Sequence, residues 1–122
     1  MIIDFHIILI VLIFILLDII SGVSQAVKNH TLSSTVMRDG IYHKLGYILI
    51  LTLAATCEFA TSHIDLGFDA PIILPCAIMI STTEILSIIE NIERLNPELA
   101  NTGIFQLLSQ NKMRRKDDID DE

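Results

Sequence analysis

The residues able to do chemistry in this chain are carboxylates, amides and hydroxyls set inside stretches otherwise built from Ile, Leu and Val. From Pro71 to Asn91 the first half is apolar. The second half carries Ser81, Glu84, Ser87 and Asn91 at helical spacing, with Thr83, Ser87, Glu90 and Arg94 as a neighbouring row. A carboxylate or amide left in hydrocarbon is strongly unfavourable, so this face must meet other protein, a water-filled space or the headgroups. Glu90 and Asn91 read equally well as marking the aqueous end of a helix. Glu84 lies about a turn and a half deeper, and is assigned to a protein–protein contact or a water-facing path.

Two further patterns belong with it. Asp18, Ser21, Gly22 and Gln25 recur at i, i+3, i+4 and i+7. Asp18 reads either as an interfacial residue or as a helix–helix contact, with Gly22 permitting close approach. Thr52, Thr56 and Ala60 repeat every four residues and form a small-residue ridge suited to helix packing. The candidates for oligomerisation or for facing a pore are therefore Asp18, Ser21, Gly22, Gln25, Thr52, Thr56, Glu84, Ser87, Glu90 and Asn91. Glu58, near the end of its apolar block, is expected to reach the interface. No Ser/His/Asp set, metal-ligand spacing or Gly-rich phosphate loop is present, so neither catalysis nor a cofactor is expected. His30 and His43 read as solvated loop residues. Cys57 and Cys76 read as small buried hydrophobes, although a hairpin would bring them to similar depth.

The elements that must position these residues follow from composition. Apolar residues make up 52% of the chain, more than so short a sequence can bury in one globular core. They fall in three blocks, which predicts an all-α membrane protein of three transmembrane helices, about residues 3–22, 44–61 and 71–91. The first block resembles a signal peptide only superficially. No Lys or Arg precedes it, the apolar run is long and no A-x-A site follows, so it is read as a retained span. Residues 23–43 are read as a loop region, with Ser33 or Ser34 capping the next helix. After the third span, Asn96-Pro97 is a helix-start pattern. Ile104, Leu107 and Leu108 then suggest a short amphipathic helix, about 97–109, on the membrane surface. The membrane domain is thus drawn over 1–108 and a charged tail over 110–122.

The net charge of −7 comes largely from Asp117, Asp118, Asp120, Asp121 and Glu122, so it says little about partners. Just before them, Lys112, Arg114, Arg115 and Lys116 are candidates for lipid headgroups. No basic patch interleaved with aromatics occurs, which argues against nucleic acid. The first connector carries Lys28, Arg38 and Lys44. The N-terminus and the second connector carry no Lys or Arg. The positive-inside rule then places the N-terminus outside and the C-terminus in the cytoplasm, the parity three spans require.

Two stretches together resemble the toxin-secretion and phage-lysis holin family. One is Leu17-Asp18-Ile-Ile-Ser-Gly22-Val-Ser-Gln-Ala26-Val-Lys28, followed by Leu32-Ser33-Ser34 and Gly40-Ile-Tyr-His-Lys44. The other is Thr83-Glu84-Ile-Leu-Ser87-Ile-Ile-Glu90-Asn91. Ser21 stands where the family more often has threonine. The resemblance implies a small phage or prophage protein of the bacterial cytoplasmic membrane that forms homo-oligomers and opens lesions at a set time. A cell-wall hydrolase, or in relatives a toxin, escapes through them. An antiholin partner also belongs to that expectation. The residues by themselves leave open an ion channel lined by Asp18, Glu58 and Glu84, or a regulatory subunit of a membrane complex.

Overall fold

The structure is a computed structural model that describes residues 4–69, 71–103 and 105–107. Three long helices run in order: α1 (Phe5–Lys28), α2 (Ser34–Thr61) and α3 (Ile73–Leu95). A short 3-10 helix, Pro97–Asn101, follows. No strand occurs among the described residues. All three long helices are long and apolar enough to cross a membrane.

Each helix begins and ends for a local reason. Asp4 caps α1 by accepting from the His6 amide. At the other end Asn29 is the cap residue and His30 takes a left-handed conformation, φ 56°. The amide of Thr31 then donates to the Ala26 carbonyl and that of His30 to the Val27 carbonyl, at 2.9 and 3.4 Å. This is a Schellman closure, which satisfies carbonyls that the helix end would otherwise leave unpaired. Ser33 caps α2 by accepting from the Val36 amide.

These caps shorten the first connector to residues 29–33, where the sequence suggested a loop over 23–43. The apolar runs mark where hydrocarbon ends, whereas the helices continue beyond it as polar extensions. The C-terminal region begins with Pro97 at the first position, as read, but as a 3-10 turn without a side-chain cap bond from Asn96. Residues 103 and 105–107 are helical. Ile104 and Leu108 lie outside the described residues, so the amphipathic stripe they were to form does too.

The two connectors make α1 and α3 parallel and α2 antiparallel to both. α3 is central: it packs along α1 for much of its length and against α2 more sparsely, while α1 and α2 hardly meet. The common core is apolar and confined to the half nearer the second connector. Val11 and Ile15 of α1, Leu51 and Ala54 of α2, and Ile73, Ala77 and Ile80 of α3 are buried there. Around them, Leu9, Leu12, Ile13 and Leu16 of α1, Leu49 and Leu53 of α2, and Leu74 and Ile78 of α3 are exposed. Such continuous apolar surface suits lipid as the surrounding solvent.

Candidate functional site

The buried stripe of α3 is Ile73, Ala77, Ile80 and Glu84, and Ser87 and Asn91 continue it at helical spacing. It therefore changes from apolar to polar along one face. α1 does the same, from Val11 and Ile15 to Asp18, Gly22 and Gln25. The two helices are parallel, so their polar halves coincide. α2 completes the arrangement with Lys44, Tyr47, Leu51, Ala54 and Glu58 on its inward face.

At the level where polarity changes, the three helices meet through charges. The Lys44 ammonium donates to Glu84 Oε2 at 2.7 Å and also to Asp18 Oδ2. Glu84 is 1% exposed. The other Asp18 oxygen accepts from Asn91 Nδ2 at 2.9 Å, and the same amide reaches Ser21 Oγ at 3.1 Å. Lys44 Nζ also lies 5.8 Å from the centre of the Tyr47 ring, within cation–π range. Gly22 is where Asn91 crosses α1: a Cβ there would lie 3.4 Å from Asn91 Nδ2.

Beyond this network a cleft of about 1070 Å³ opens toward the first connector. Asp18, Gly22, Gln25, Glu84, Ser87, Glu90 and Asn91 all line it, with apolar side chains such as Val23, Val36 and Ile41 between them. At its mouth Lys28 Nζ donates to the Leu95 carbonyl at 2.6 Å, and Asn29 Nδ2 donates to the Arg94 carbonyl at 3.3 Å. The cation and amide of α1 thus satisfy the last carbonyls of α3 and face the negative end of its dipole.

Eight of the candidates from the sequence, those on α1 and α3, are gathered here. Thr52 and Thr56 are not. They are exposed on α2, their hydroxyls donating to the carbonyls four residues back, Ile48 and Thr52, at 2.7 and 2.8 Å. Satisfied by its own helix, a threonine can face lipid without penalty. Thr52 and Thr56 of the ridge therefore face away from the core of this chain, whereas Ala60 is half-buried.

Glu58 also departs from expectation. It is 8% exposed and turns inward at the end opposite the cleft. There its Oε1 accepts from the amides of Ile72 and Ile73 at 2.6 and 2.9 Å. It caps the start of α3, where unpaired N–H groups and the helix dipole favour an anion. Glu58 therefore shares no path with Asp18 and Glu84. His43 lies within α2 rather than in a loop, with Nε2 2.8 Å from the Tyr47 hydroxyl. Cys57 and Cys76 are free, half-buried thiols. Lys112, Arg114, Arg115 and Lys116 lie outside the described residues.

Lys44 was the residue the sequence reading missed, taken there only as part of a basic connector. The signal was present in its depth. Asp18 stands ten residues before the end of α1, Lys44 ten residues after the start of α2 and Glu84 eleven before the end of α3. At about 1.5 Å per residue, all three sit at one level.

The profile of the bacteriophage holin family matches residues 3–104. The chain belongs to the bacteriophage holin family. No protein of curated function and no solved structure matches it. The holin family is pore-forming and non-enzymatic, and membership makes this a holin-like, multi-pass membrane protein. The match spans all three long helices, so every residue of the charged network and of the cleft lies within the holin region.

Proposed function

We propose that this protein is a holin that accumulates in the bacterial cytoplasmic membrane of a phage host and assembles there with copies of itself. At a set time the assembly opens lesions that release a cell-wall hydrolase or a toxin. One observation carries the reading beyond family membership. The polar side chains of α1 and α3 are folded inward around a cleft while the surface around the core is largely apolar. Such a protomer is compatible with lipid as it stands, yet holds enough polar surface to line water once several copies rearrange. The hydrolase needs no direct contact with the holin, because the lesion itself is its route. An antiholin would act by pairing with the same spans.

The orientation assigned to the holin places the first connector and the C-terminus in the cytoplasm. Lys28 and Arg38 support it, and so do Lys112, Arg114, Arg115 and Lys116, which would rest against anionic headgroups. Lys44 contributes little to that argument, since it is paired between helices.

Inducing the chain in a bacterium while following membrane potential and the escape of a folded cytoplasmic protein tests the reading. Abrupt collapse with protein release is the expected result. Depolarisation without protein release would instead indicate a selective channel, and neither event would indicate a regulatory or antiholin subunit.

A further inference from the structure

The three helices are not equally bound to one another. α1 and α3 are joined along their length by apolar packing, by Asn91 on Asp18 and Ser21, and by Lys28 and Asn29 on the end of α3. α2 is attached differently. Near the second connector, Leu51 and Ala54 enter the core and Glu58 caps α3. From Ser34 to His43 every residue of α2 is exposed, and the cleft lies between this segment and α1. Lys44 is the first residue of α2 that is not exposed, and it holds one carboxylate from each of the other two helices.

We propose that Lys44 is a latch that holds α2 closed against an α1–α3 unit, and that α2 swings away from that unit about its Glu58 joint when the lesion forms. The proposal rests on the lesion-forming reading above. Geometry supplies the direction of movement. α1 and α3 would have to break a continuous interface to separate, whereas α2 in this half is attached only through Lys44 and, one turn further along, Tyr47 among the described residues. Opening would convert the cleft wall into a continuous water-facing stripe of Asp18, Gly22, Gln25, Ser87 and Asn91. The latch is also self-limiting. Two carboxylates share one ammonium, so an ammonium leaving them in hydrocarbon is strongly opposed, and release becomes favourable only where water or another copy receives the charges.

The test uses the full chain reconstituted in anionic liposomes loaded with a fluorescent protein. Spin labels are placed at exposed residues in a background with Cys57 and Cys76 replaced by alanine. One pair joins Ile20 to Leu45, across α1 and α2. The other joins Ile20 to Ile85, across α1 and α3. On opening, the first distance should lengthen and the second should stay unchanged. Lys44→Met should shorten the lag before release several-fold, and Lys44→Arg should keep the parental lag. Exchanging the charges with Lys44→Glu and Glu84→Lys together should restore the lag that Lys44→Glu alone abolishes.

Parental protein that releases nothing would overturn the lesion-forming reading. Parental release with a constant Ile20–Leu45 distance, with α1 and α3 separating, or with an unaltered lag in Lys44→Met would overturn the latch alone. The label pairs leave the network intact, so they decide the matter even if a Lys44 variant fails to fold.

Discussion

A hydrogen-bonding side chain between membrane helices is useful only where the backbones approach closely enough for it to reach. Asn91 spans that gap because Gly22 presents no side chain, and its amide thereby meets both Asp18 and Ser21. A single methyl at position 22 would sit in ordinary contact with the amide, whereas a branched side chain would displace it. Gly22→Ala is therefore expected to unfold in detergent close to the parental temperature. Gly22→Val should lose about 1–2 kcal/mol, the usual scale of interhelical polar contacts in membranes. Thermal unfolding of the two purified variants by circular dichroism checks this, and equal stability of Val and parent would mean that the Asn91 contacts contribute nothing. The pairing of Asp18 with Asn91 was not itself legible in the sequence. Each residue showed there as part of a polar stripe on its own helix, and a stripe does not state its partner.

At the scale of the element, the helix ends carry more specific chemistry than the spans. His30 occupies the left-handed position of the α1 closure, where glycine is normally preferred. His30→Gly should stabilise the fold by roughly 1 kcal/mol and His30→Val should destabilise it, both read as shifts in unfolding temperature. A lower temperature for the glycine variant would show that the histidine ring makes a contribution larger than its backbone strain.

Glu58 makes the complementary case, since it caps a helix from a different helix. Glu58→Leu would leave the amides of Ile72 and Ile73, at the start of α3, without their acceptor, a loss of about 1–3 kcal/mol, while Glu58→Gln keeps an acceptor and should lose less. If Gln and Leu prove equally damaging, charge rather than hydrogen bonding is what the cap supplies. The sequence showed the faces of α1 and α3 because polar residues recur there with helical period over several turns. It did not show the inward row of α2, because Lys44, Tyr47, Leu51, Ala54 and Glu58 alternate charge, ring and aliphatic with no common character. The threonines gave a cleaner period on the face that turned out to be exposed. Periodicity reports that a face exists, and what packs on it depends on the other helices.

At the scale of the whole molecule, the bundle divides along its axis into an apolar half that seals and a polar half that opens. The division sets the expected orientation. Asp4, Asp65 and Asp69 lie at the sealed end, and Lys28 and Arg38 lie at the open end. With the basic end in the cytoplasm, the cleft would open inward, toward the compartment from which the proposed cargo would leave, and the apolar half would face outward. The three-span architecture and this charge asymmetry were legible in the sequence from the clustering of apolar residues and the distribution of Lys and Arg. The division into sealed and open halves was not, because it depends on the parallel stacking of α1 and α3.

A cysteine at Asp69 and one at Thr31 test the orientation directly, each in a background lacking Cys57 and Cys76, because both positions are exposed and lie in opposite connectors. In intact cells sampled before lysis, a membrane-impermeant thiol reagent should label the cysteine at 69 and leave the one at 31 unlabelled. Permeabilised cells should label both, which controls for buried or missing protein. Labelling at 31 alone would invert the molecule and turn the cleft outward. Labelling at both sites in intact cells, with membrane potential still maintained, would mean that the chain inserts in two orientations, and the charge asymmetry would then not decide its topology.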